Sequence, residues 1–253
     1  MPLAVHQFPC LSDNYGFLVR DQASGLCACV DTPDAAAILR ELDQLGWGLA
    51  LILNTHWHPD HAGGNLEVKA ATGAEVIGPA EVSRLAPPDR EVRGGDRVTL
   101  GETTFEVIET GGHTLGHIAY YDAADRIAFV GDTLFALGCG RLFEGEPQQM
   151  WASLQRLAAL PDATRVYCAH EYTAANARFA LSVDDDPALK MRAAQVFAAR
   201  ERGEPTVPTT IGLEKATNPF LRAPRLAPRL GVAAEPAYAA FAAVRAAKDD
   251  FKG

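Results

Sequence analysis

The sequence predicts an α/β body followed by a helical segment, and three observations lead to this prediction. Short runs rich in Val, Leu and Phe alternate with helix-like segments as far as His170. Beyond that residue no strand-like run is evident and Ala becomes frequent. Hydrophobic residues make up 48% and charged residues 22% of the 253 residues, which excludes a mainly disordered chain. We therefore expect two domains, at residues 1–172 and 173–253.

The elements of the body are predicted in order from their residue patterns. Strands are predicted at LAVHQF, YGFLVR and LCACVD, because turn residues separate these apolar runs. Asp34 near its start and Gly46 at its end predict a helix over residues 33–46. The unbroken run LALILN predicts a strand buried on both faces. Further strands are predicted at AEVIG, DRVTL, TTFEVIET, HIAYYD and RIAFVG. A helix at about 147–160 and a last strand at RVYCA follow them.

The helical segment contains two recognisable helices and an unusual charge balance. Asp186-Pro187 is typical of an N-cap followed by proline at the first helical position, and predicts a helix to about Arg202. A loop rich in Pro and Thr (204–210) separates it from a final helix at about 235–250. Residues 205–253 have a local charge of +3, whereas the whole chain has −9. This contrast suggests a small anionic ligand near the C terminus. The net negative charge of the whole chain argues against nucleic-acid partners.

Cysteine usage and the N-terminal sequence indicate a cytoplasmic protein. Five cysteines are an odd number, and a chain of this size does not need disulfides, so we expect free thiols. Cys27 and Cys29 are expected to pack in the core. The first residues have no basic region followed by a long apolar run, and no stretch approaches about 20 apolar residues. We therefore expect no signal peptide and no membrane partner.

Three of the seven histidines lie in one short segment, directly after the strand LALILN. His56 and His58 are two residues apart, so on an extended segment both point the same way and can bind one metal ion. Asp60 and His61 are adjacent and can reach a second ion. A His-rich surface loop is the alternative interpretation. Four ligand residues within six positions at the end of a core strand argue against it.

Three further candidate ligands also follow predicted strands. His113 comes after TTFEVIET, Asp132 after RIAFVG and His170 after RVYCA. Loops at the ends of strands are where sheet folds collect functional side chains. Imidazole and carboxylate ligands without a required cysteine suit Zn, Fe or Mn. The pattern therefore predicts a two-metal centre bridged by one carboxylate.

This ligand pattern resembles that of the metallo-β-lactamase superfamily, and further motifs narrow the resemblance. The motifs are Asp13-Asn14-Tyr15, Gly131-Asp132-Thr133-Leu134-Phe135, Gly138-Cys139-Gly140-Arg141, His170-Glu171-Tyr172-Thr173, Asn218-Pro219-Phe220-Leu221-Arg222 and Arg245-x-x-Lys248. Together they resemble glyoxalase II, the hydroxyacylglutathione hydrolase family, from Val5 to Lys252. The resemblance implies an α+β fold, a four-layer αββα sandwich followed by a C-terminal helical domain.

The resemblance also implies a reaction and a set of ligands. The reaction is hydrolysis of S-D-lactoylglutathione to glutathione and D-lactate by a metal-bridged hydroxide, the second step of methylglyoxal detoxification. Two divalent ions are expected, zinc first and Fe or Mn as alternatives. One ion would be bound by His56, His58 and His113, the other by Asp60, His61 and His170, with Asp132 bridging the two. Asp60 would also orient the hydroxide, so Asp60 and Asp132 are the expected catalytic residues.

Glutathione carries two carboxylates that need hydrogen-bond donors or cations. The resemblance assigns substrate binding to Arg141, Phe143, Tyr172, Arg245 and Lys248. Arg245 and Lys248 are three residues apart on the last helix and share one face, for which an ordinary solvated helix surface is the alternative. The sequence departs from the eukaryotic pattern at Arg141, where a lysine is often found, and at Phe143, which replaces a tyrosine and its hydroxyl donor.

Four nearby residues are expected to have supporting roles. His117 follows His113 by four positions and is expected to support the site rather than bind metal, and His6 is expected to be structural. Asp31 is expected to orient a histidine ligand, with a residue at a helix N terminus as the alternative. Cys168 precedes a ligand by two residues, so we expect it near the metals, where its oxidation would matter.

The sequence leaves several alternatives to hydrolysis. A glutathione persulfide dioxygenase with a mononuclear iron is the main alternative, and the helical tail with Arg245 and Lys248 favours the hydrolase. A β-lactamase, an RNA-processing nuclease and a non-catalytic metal-binding module are weaker alternatives. The resemblance to the glyoxalase II family implies a monomer.

Overall fold

The structure, a computed structural model, describes residues Leu3–Gly253 and separates into two compact units. The first unit comprises the residues up to Glu109 together with Gly116–Gly131. The second comprises Thr110–Leu115 and Asp132–Gly253. Most of the strands therefore belong to the first unit and most of the helices to the second.

The first unit contains the predicted strands from LAVHQF to RIAFVG and the predicted helix at 33–46. Its strands are β1 (Leu3–Cys10), β2 (Asn14–Asp21), β3 (Cys27–Val30), β4 (Leu49–Leu53), β5 (Glu75–Gly78), β6 (Arg90–Glu91), β7 (Arg97–Leu100), β8 (Thr103–Glu109), β9 (Ile118–Asp122) and β10 (Ile127–Gly131). Its helices are α1 (Ala35–Leu45), α2 (Pro59–Ala62) and α3 (Asn65–Thr72), with a 3₁₀ turn at Ala80–Arg84. The elements β6, α2 and α3 were not predicted, and the predicted helix at 147–160 and strand RVYCA lie in the second unit.

The first sheet is mixed and has the strand order β1-β2-β3-β4-β5-β6. Strands β1, β2 and β3 pair antiparallel, whereas β3, β4, β5 and β6 pair parallel. The parallel strands β3 and β4 end at the same edge of the sheet, where the backbone N–H of Asp31 donates to the carbonyl of Leu53 at 3.0 Å. This pairing brings the segments that follow the two strands side by side.

Strands β7 to β10 pair antiparallel in the order β10-β9-β8-β7 and face the first sheet. The rings of Phe17 on β2 and Phe129 on β10 lie 5.6 Å apart, and the hydroxyl of Tyr120 donates to the carbonyl of Asn54 at 2.9 Å. On the other face of the first sheet, Ile38 of α1 and Val68 of α3 belong to a buried apolar cluster with sheet residues. Burial of these apolar side chains is the main stabilising term of the unit.

Helix α1 begins and ends where its sequence signals predicted. The carboxylate of Asp34 accepts a hydrogen bond from the backbone N–H of Ala37 at 3.0 Å, as an N-cap does. Gly46 closes the helix with φ of 64°, a left-handed conformation that glycine adopts without the steric cost of a Cβ.

The second unit is mainly helical. Its strands are β11 (Leu134–Phe135), β12 (Gly138–Cys139), β13 (Arg165–Cys168) and β14 (Thr209–Thr210). Its helices are α4 (Pro147–Ala158), α5 (Thr173–Val183), α6 (Pro187–Glu201), α7 (Ile211–Thr217), α8 (Ala223–Leu226) and α9 (Ala237–Asp250), with a 3₁₀ turn at Ala227–Leu230. No helix between Leu3 and Gly253 combines the length and the hydrophobicity that a membrane span requires.

The expectation of no strand after His170 was wrong. β14 lies within the segment 204–210 that was predicted to be a loop, and it pairs antiparallel with β13, Thr209 opposite Val166. Two residues give no periodicity, and this pairing depends on a partner far away in the sequence. In contrast, α6 begins as predicted, because Asp186 accepts from the backbone N–H of Ala188 at 2.9 Å.

Candidate metal centre

Four of the expected ligands lie in the segment that follows β4 in the first unit. Nε2 of His56 lies 3.1 Å from Nδ1 of His58, so both histidines turn a ring nitrogen toward the same point. Pro59 then starts the short helix α2, which carries Asp60 and His61. Nε2 of His61 lies 3.6 Å from Oδ2 of Asp60. The strand end and the helical turn therefore produce two adjacent pairs of ligand atoms.

The buried carboxylate of Asp31 orients this segment, as predicted. Its Oδ2 accepts from Nδ1 of His61 at 2.8 Å and from the hydroxyl of Thr55 at 2.8 Å. Its Oδ1 accepts from the backbone N–H of Thr55 at 2.7 Å. A carboxylate on one nitrogen fixes the proton there and leaves Nε2 of His61 as the basic nitrogen, the one that could bind a metal. The alternative of a plain helix N-terminal residue is wrong, since Asp34 caps α1.

Thr55 fixes the tautomer of a second histidine, a role that the sequence did not indicate. Its Oγ1 lies 3.0 Å from Nδ1 of His56. Because the Thr55 proton goes to Asp31, the oxygen acts as acceptor toward His56 and Nδ1 carries the proton. Nε2 of His56 is then the basic nitrogen, on the side of His58.

Asn14 is a further residue of the site whose role was not predicted. Its Nδ2 donates to Oδ2 of Asp60 at 3.2 Å and to the backbone carbonyl of Asp60 at 3.3 Å. Asn14 is buried at the start of β2, whereas the side chain of Asp60 is 40% exposed. The amide therefore positions one carboxylate oxygen of an accessible side chain. Asn14 belongs to the motif Asp13-Asn14-Tyr15, which was the only signal in the sequence.

The two histidines that were not expected to be ligands have other surroundings. The ring of His117 is fully buried and stacks on that of His56 at 4.7 Å. Nε2 of His6 lies 2.9 Å from Oε2 of Glu41 on α1. His117 thus packs against the candidate ligand His56, and His6 contacts helix α1 rather than the candidate metal centre.

The remaining three expected ligands lie together in the second unit. Nε2 of His113 lies 3.3 Å from Oδ2 of Asp132, and Nε2 of His170 lies 3.3 Å from Oδ1 of the same carboxylate. All three side chains are buried. Asp132 therefore presents one oxygen to each histidine, which is the arrangement that a bridging carboxylate needs.

The backbone around Asp132 and His113 is tightly constrained. A Cβ on Gly140 would lie 1.9 Å from the carbonyl oxygen of Asp132, so only glycine permits this approach. Nδ1 of His113 donates to the carbonyl of Arg141 at 2.7 Å, which leaves Nε2 as the basic nitrogen. The hydroxyl of Ser153 on α4 donates to the carbonyl of Gly111 at 2.6 Å and fixes the segment that carries His113.

The nitrogen and oxygen atoms of these residues suit divalent ions. Imidazole nitrogens with carboxylate oxygens are the ligands that Zn, Fe and Mn share. In His56, His61 and His113 the other ring nitrogen is hydrogen-bonded, to Thr55, Asp31 and the Arg141 carbonyl respectively. Such hydrogen bonds are what metal-binding histidines almost always make. The residues present therefore fit the metals that the sequence pattern predicted.

Three of the five expected substrate-binding residues are accessible in the second unit. The Phe143 side chain is 60% exposed and meets the ring of His113 edge-on at 5.2 Å. Tyr172 is 37% exposed and its ring stacks on that of His170 at 4.7 Å. The Arg141 side chain is 61% exposed. Two accessible aromatic rings thus lie beside two of the candidate ligands, His113 and His170.

Arg245 and Lys248 do not form an ordinary solvated helix surface. Nη1 of Arg245 donates to the carbonyl of Cys139 at 3.0 Å and Nη2 to Oδ1 of Asp249 at 2.8 Å, and the side chain is only 8% exposed. Nζ of Lys248 lies 5.4 Å from the centre of the Phe179 ring. Burial, together with the charge of Arg245, lowers the pKa of the Lys248 ammonium.

Cys168 lies beside a ligand but is not a reactive thiol. Its side chain is fully buried and Sγ lies 3.8 Å from the carbonyl of His170. Burial raises the pKa of the thiol to about 12, so the reactive thiolate is scarce at neutral pH. Cys168 thus contacts the backbone of His170, its proximity to the metals stays a prediction, and its burial argues against the expected sensitivity to oxidation.

Two protein-family models match this chain, one after the other along the sequence. The model of the metallo-beta-lactamase superfamily matches residues 28–170, and that of the hydroxyacylglutathione hydrolase C-terminus matches residues 171–251. A hydroxyacylglutathione hydrolase of Maricaulis maris is 57% identical over 98% of this chain and 99% of its own length. One of Erythrobacter litoralis is 56% identical over 98% and 100% respectively.

Solved structures share the fold. ETHE1 from Myxococcus xanthus is 30% identical and has a TM-score of 0.64, over 86% of this chain and 84% of its own. A metallo-beta-lactamase from Staphylococcus aureus is 21% identical, with a TM-score of 0.70 over 100% and 68% respectively. These similarities, with the sheets and helices described above, confirm the predicted α+β sandwich with C-terminal helices.

Proposed function

Because the chain belongs to the hydroxyacylglutathione hydrolase family of the metallo-β-lactamase superfamily, we propose that it hydrolyses S-D-lactoylglutathione and related S-2-hydroxyacylglutathiones. The products are glutathione and the 2-hydroxy acid, D-lactate for the first substrate. The observation that carries this assignment is identity above 50%, over nearly the whole chain, to relatives named for that activity. It favours the thioester hydrolase over the alternative of a persulfide dioxygenase.

Seven side chains are proposed as the ligands of two divalent ions, zinc first and Fe or Mn as alternatives. His56, His58 and His113 would bind one ion, Asp60, His61 and His170 the other, and Asp132 would bridge them. The hydrogen bonds that fix the ring tautomers, and the separate oxygens that Asp132 presents to two histidines, support this proposal. When bound, the ions would supply Lewis acidity and lower the pKa of water from about 15.7 toward about 7.

Asp60 is proposed to orient the attacking water. Asn14 donates to Oδ2 of Asp60 and so holds this accessible carboxylate in place, where it would accept a hydrogen bond from the water. The leaving group is a thiolate, which departs without strong help from a general acid. The chain's own contribution is therefore to position groups and to orient a proton, with no covalent intermediate on a serine or cysteine.

The glutathione moiety is proposed to bind to Arg141, Phe143, Tyr172, Arg245 and Lys248. The exposed guanidinium of Arg141 and the two accessible aromatic rings support this proposal. Nε of Arg245 is buried and has no hydrogen-bond partner between Leu3 and Gly253, so it is available to an acceptor on a ligand. We also propose that the protein acts as a cytoplasmic monomer without nucleic-acid or membrane partners, and that residues 1–172 and 173–253 are its domains.

The first experiment measures loss of the S-D-lactoylglutathione thioester by purified protein of known metal content, with acetyl-CoA as a control substrate. We expect rapid metal-dependent hydrolysis of the glutathione thioester alone and no consumption of oxygen. Asp132→Ala should lose both metals and the activity, because both ions would share that carboxylate. His6→Gln, which removes a histidine outside the site, should retain both. An Asp132→Ala variant with full metal content and normal turnover would contradict the assignment.

A further inference from the structure

The last helix places an acidic residue among the cations that are proposed to bind glutathione. Asp249 follows Arg245 by four positions on α9, and its Oδ1 accepts from Nη2 of Arg245 at 2.8 Å. Nε of Arg141 lies 3.4 Å from the same oxygen. One carboxylate oxygen of this protein therefore lies beside two guanidinium groups, as a carboxylate of a ligand would.

The exposure of the three side chains shows which of them a ligand can reach. The side chain of Asp249 is 39% exposed and that of Arg141 is 61% exposed, whereas that of Arg245 is 8% exposed. Arg245 is fixed from the other side by the carbonyl of Cys139. The guanidinium of Arg245 is therefore held between the Cys139 carbonyl and Asp249, and Asp249 is the more exposed partner in its ion pair.

The position of Asp249 on the helix gives no other reason for an acidic residue. α9 ends at Asp250, and a negative charge in the last turn is unfavourable, because the unpaired carbonyl groups there carry partial negative charge. The two guanidinium groups offset that cost. The ion pairs with Arg141 and Arg245 are therefore the interactions that account for its place.

We propose that Asp249 is a specificity-determining residue that competes with the carboxylates of glutathione for Arg141 and Arg245. This inference rests on the proposed function. An entering carboxylate must displace Asp249 from the guanidinium groups or approach it against like-charge repulsion. The product glutathione carries the same carboxylates as the substrate. Competition therefore weakens the binding of both and promotes release of the product.

The test is Asp249→Asn, which preserves the shape of the side chain and removes its charge. We expect KM for S-D-lactoylglutathione and the inhibition constant of glutathione to fall about two- to fivefold, the range of an accessible ion pair. The kcat/KM for S-lactoyl-N-acetylcysteamine, a thioester without carboxylates, should not change. The matched control is Asp250→Asn on the same helical turn. Asp250 is exposed and makes no ion pair with any residue from Leu3 to Gly253. The KM of the Asp250→Asn variant should therefore equal that of the wild type.

Three results would overturn the role of Asp249. An unchanged KM would mean that it does not compete, and a raised KM would mean that it positions the guanidinium groups for the substrate. An equal decrease in Asp250→Asn would reduce the effect to the general charge of the helix. Absence of thioester hydrolysis by the wild-type protein would contradict the proposed function. The dissociation constant of glutathione, measured by calorimetry for the same variants, would still decide the role of Asp249.

Discussion

Asp31 is not an expected ligand, but its hydrogen bonds orient the candidate ligands around it. It accepts three hydrogen bonds, one from His61 and two from Thr55, and Thr55 in turn fixes His56. Its own backbone has φ of 58°, in the left-handed region that costs a residue with a Cβ on the order of 1 kcal/mol. The carboxylate is thus placed where it orients two histidines at once.

Asp31→Asn should weaken the metal affinity of the site by about 10- to 100-fold. Asparagine has nearly the same shape, but its amide group offers one acceptor oxygen instead of two, and its NH₂ faces groups that are themselves donors. The affinity can be measured by competition with a chromogenic zinc chelator.

Asp34→Asn is the matched control, because asparagine caps a helix about as well as aspartate and Asp34 contacts the N terminus of α1. We expect it to bind metal as the wild type does. Equal metal affinities of Asp31→Asn and the wild type would show that the carboxylate does not orient the histidines.

At the scale of residues, the sequence indicated the candidate ligands but, apart from Asp31, not the side chains that hydrogen-bond to them. His56, His113 and His170 each follow a strand, and that regularity can be read along the chain. The hydrogen bonds of Thr55 and Asn14 depend on which strands are neighbours, and the contact of Asp249 with Arg141 joins residues more than a hundred positions apart. Such partners have no local signal.

At the scale of elements, a buried polar network holds the hairpin β11–β12 that lies between Asp132 and Arg141. Oε2 of Glu214 on α7 accepts from the backbone N–H of Leu137 at 2.9 Å. Nδ2 of Asn218 donates to the carbonyls of Phe135 and Gly138. Arg192 on α6 pairs with Glu214, which is fully buried. The motif that begins at Asn218 therefore supports the hairpin that follows the candidate ligand Asp132.

Glu214→Gln should destabilise the protein by about 3–5 kcal/mol, because it leaves the buried guanidinium of Arg192 without its counter-charge. The free energy of unfolding can be obtained from urea denaturation followed by circular dichroism. Glu204→Gln is the control, since Glu204 forms an exposed ion pair with Arg202 and its loss should change stability little. Equal midpoints for the two variants would mean that the buried pair does not stabilise the fold.

Helices with clear caps were predictable, and the short hairpin was not. Asp34 with Gly46, and Asp186 with Pro187, indicate helix ends by interactions within a few residues. The strands β11, β12 and β14 have two residues each, too few for any periodicity. Their conformation is fixed by Asn218 and by β13, which are distant in the sequence.

At the scale of the whole molecule, all five cysteines are free and buried. Burial raises the pKa of Cys10 and Cys168 to about 12 and that of Cys139 to about 11. Cys27 and Cys29 belong to the apolar cluster beneath α1 and α3, which confirms the expected core packing. The five thiols are free, as the odd number of cysteines predicted.

Ellman's reagent should label fewer than one thiol per native chain at pH 8, and five after unfolding in urea. Unfolded thiols ionise near pH 8.5, whereas the folded ones ionise near 11 or above. Stability from this source is therefore present below pH 8.5 and is lost as the pH rises above it, so the urea midpoint should fall between pH 8 and pH 10. Rapid labelling of several thiols in the native protein would contradict this expectation.

The division of the chain illustrates what composition can predict about a whole molecule. The increase of Ala and the loss of strand-like runs led to a boundary at residue 172, which stays a prediction. The two family matches meet between residues 170 and 171. The compact units differ from any single cut, because Thr110–Leu115 groups with the later residues. Local composition cannot indicate that a short segment groups with residues later in the chain, since this grouping depends on tertiary packing.

The main chain and the side chain of Arg141 make different contacts. Its main-chain carbonyl fixes the proton of His113, and its side chain reaches out to Asp249. Every amino acid supplies the same carbonyl, so evolution can exchange the side chain at this position without altering the ligand behind it. In the proposed function, a substitution of Arg141 would therefore change which thioester is preferred and leave the orientation of His113 unchanged.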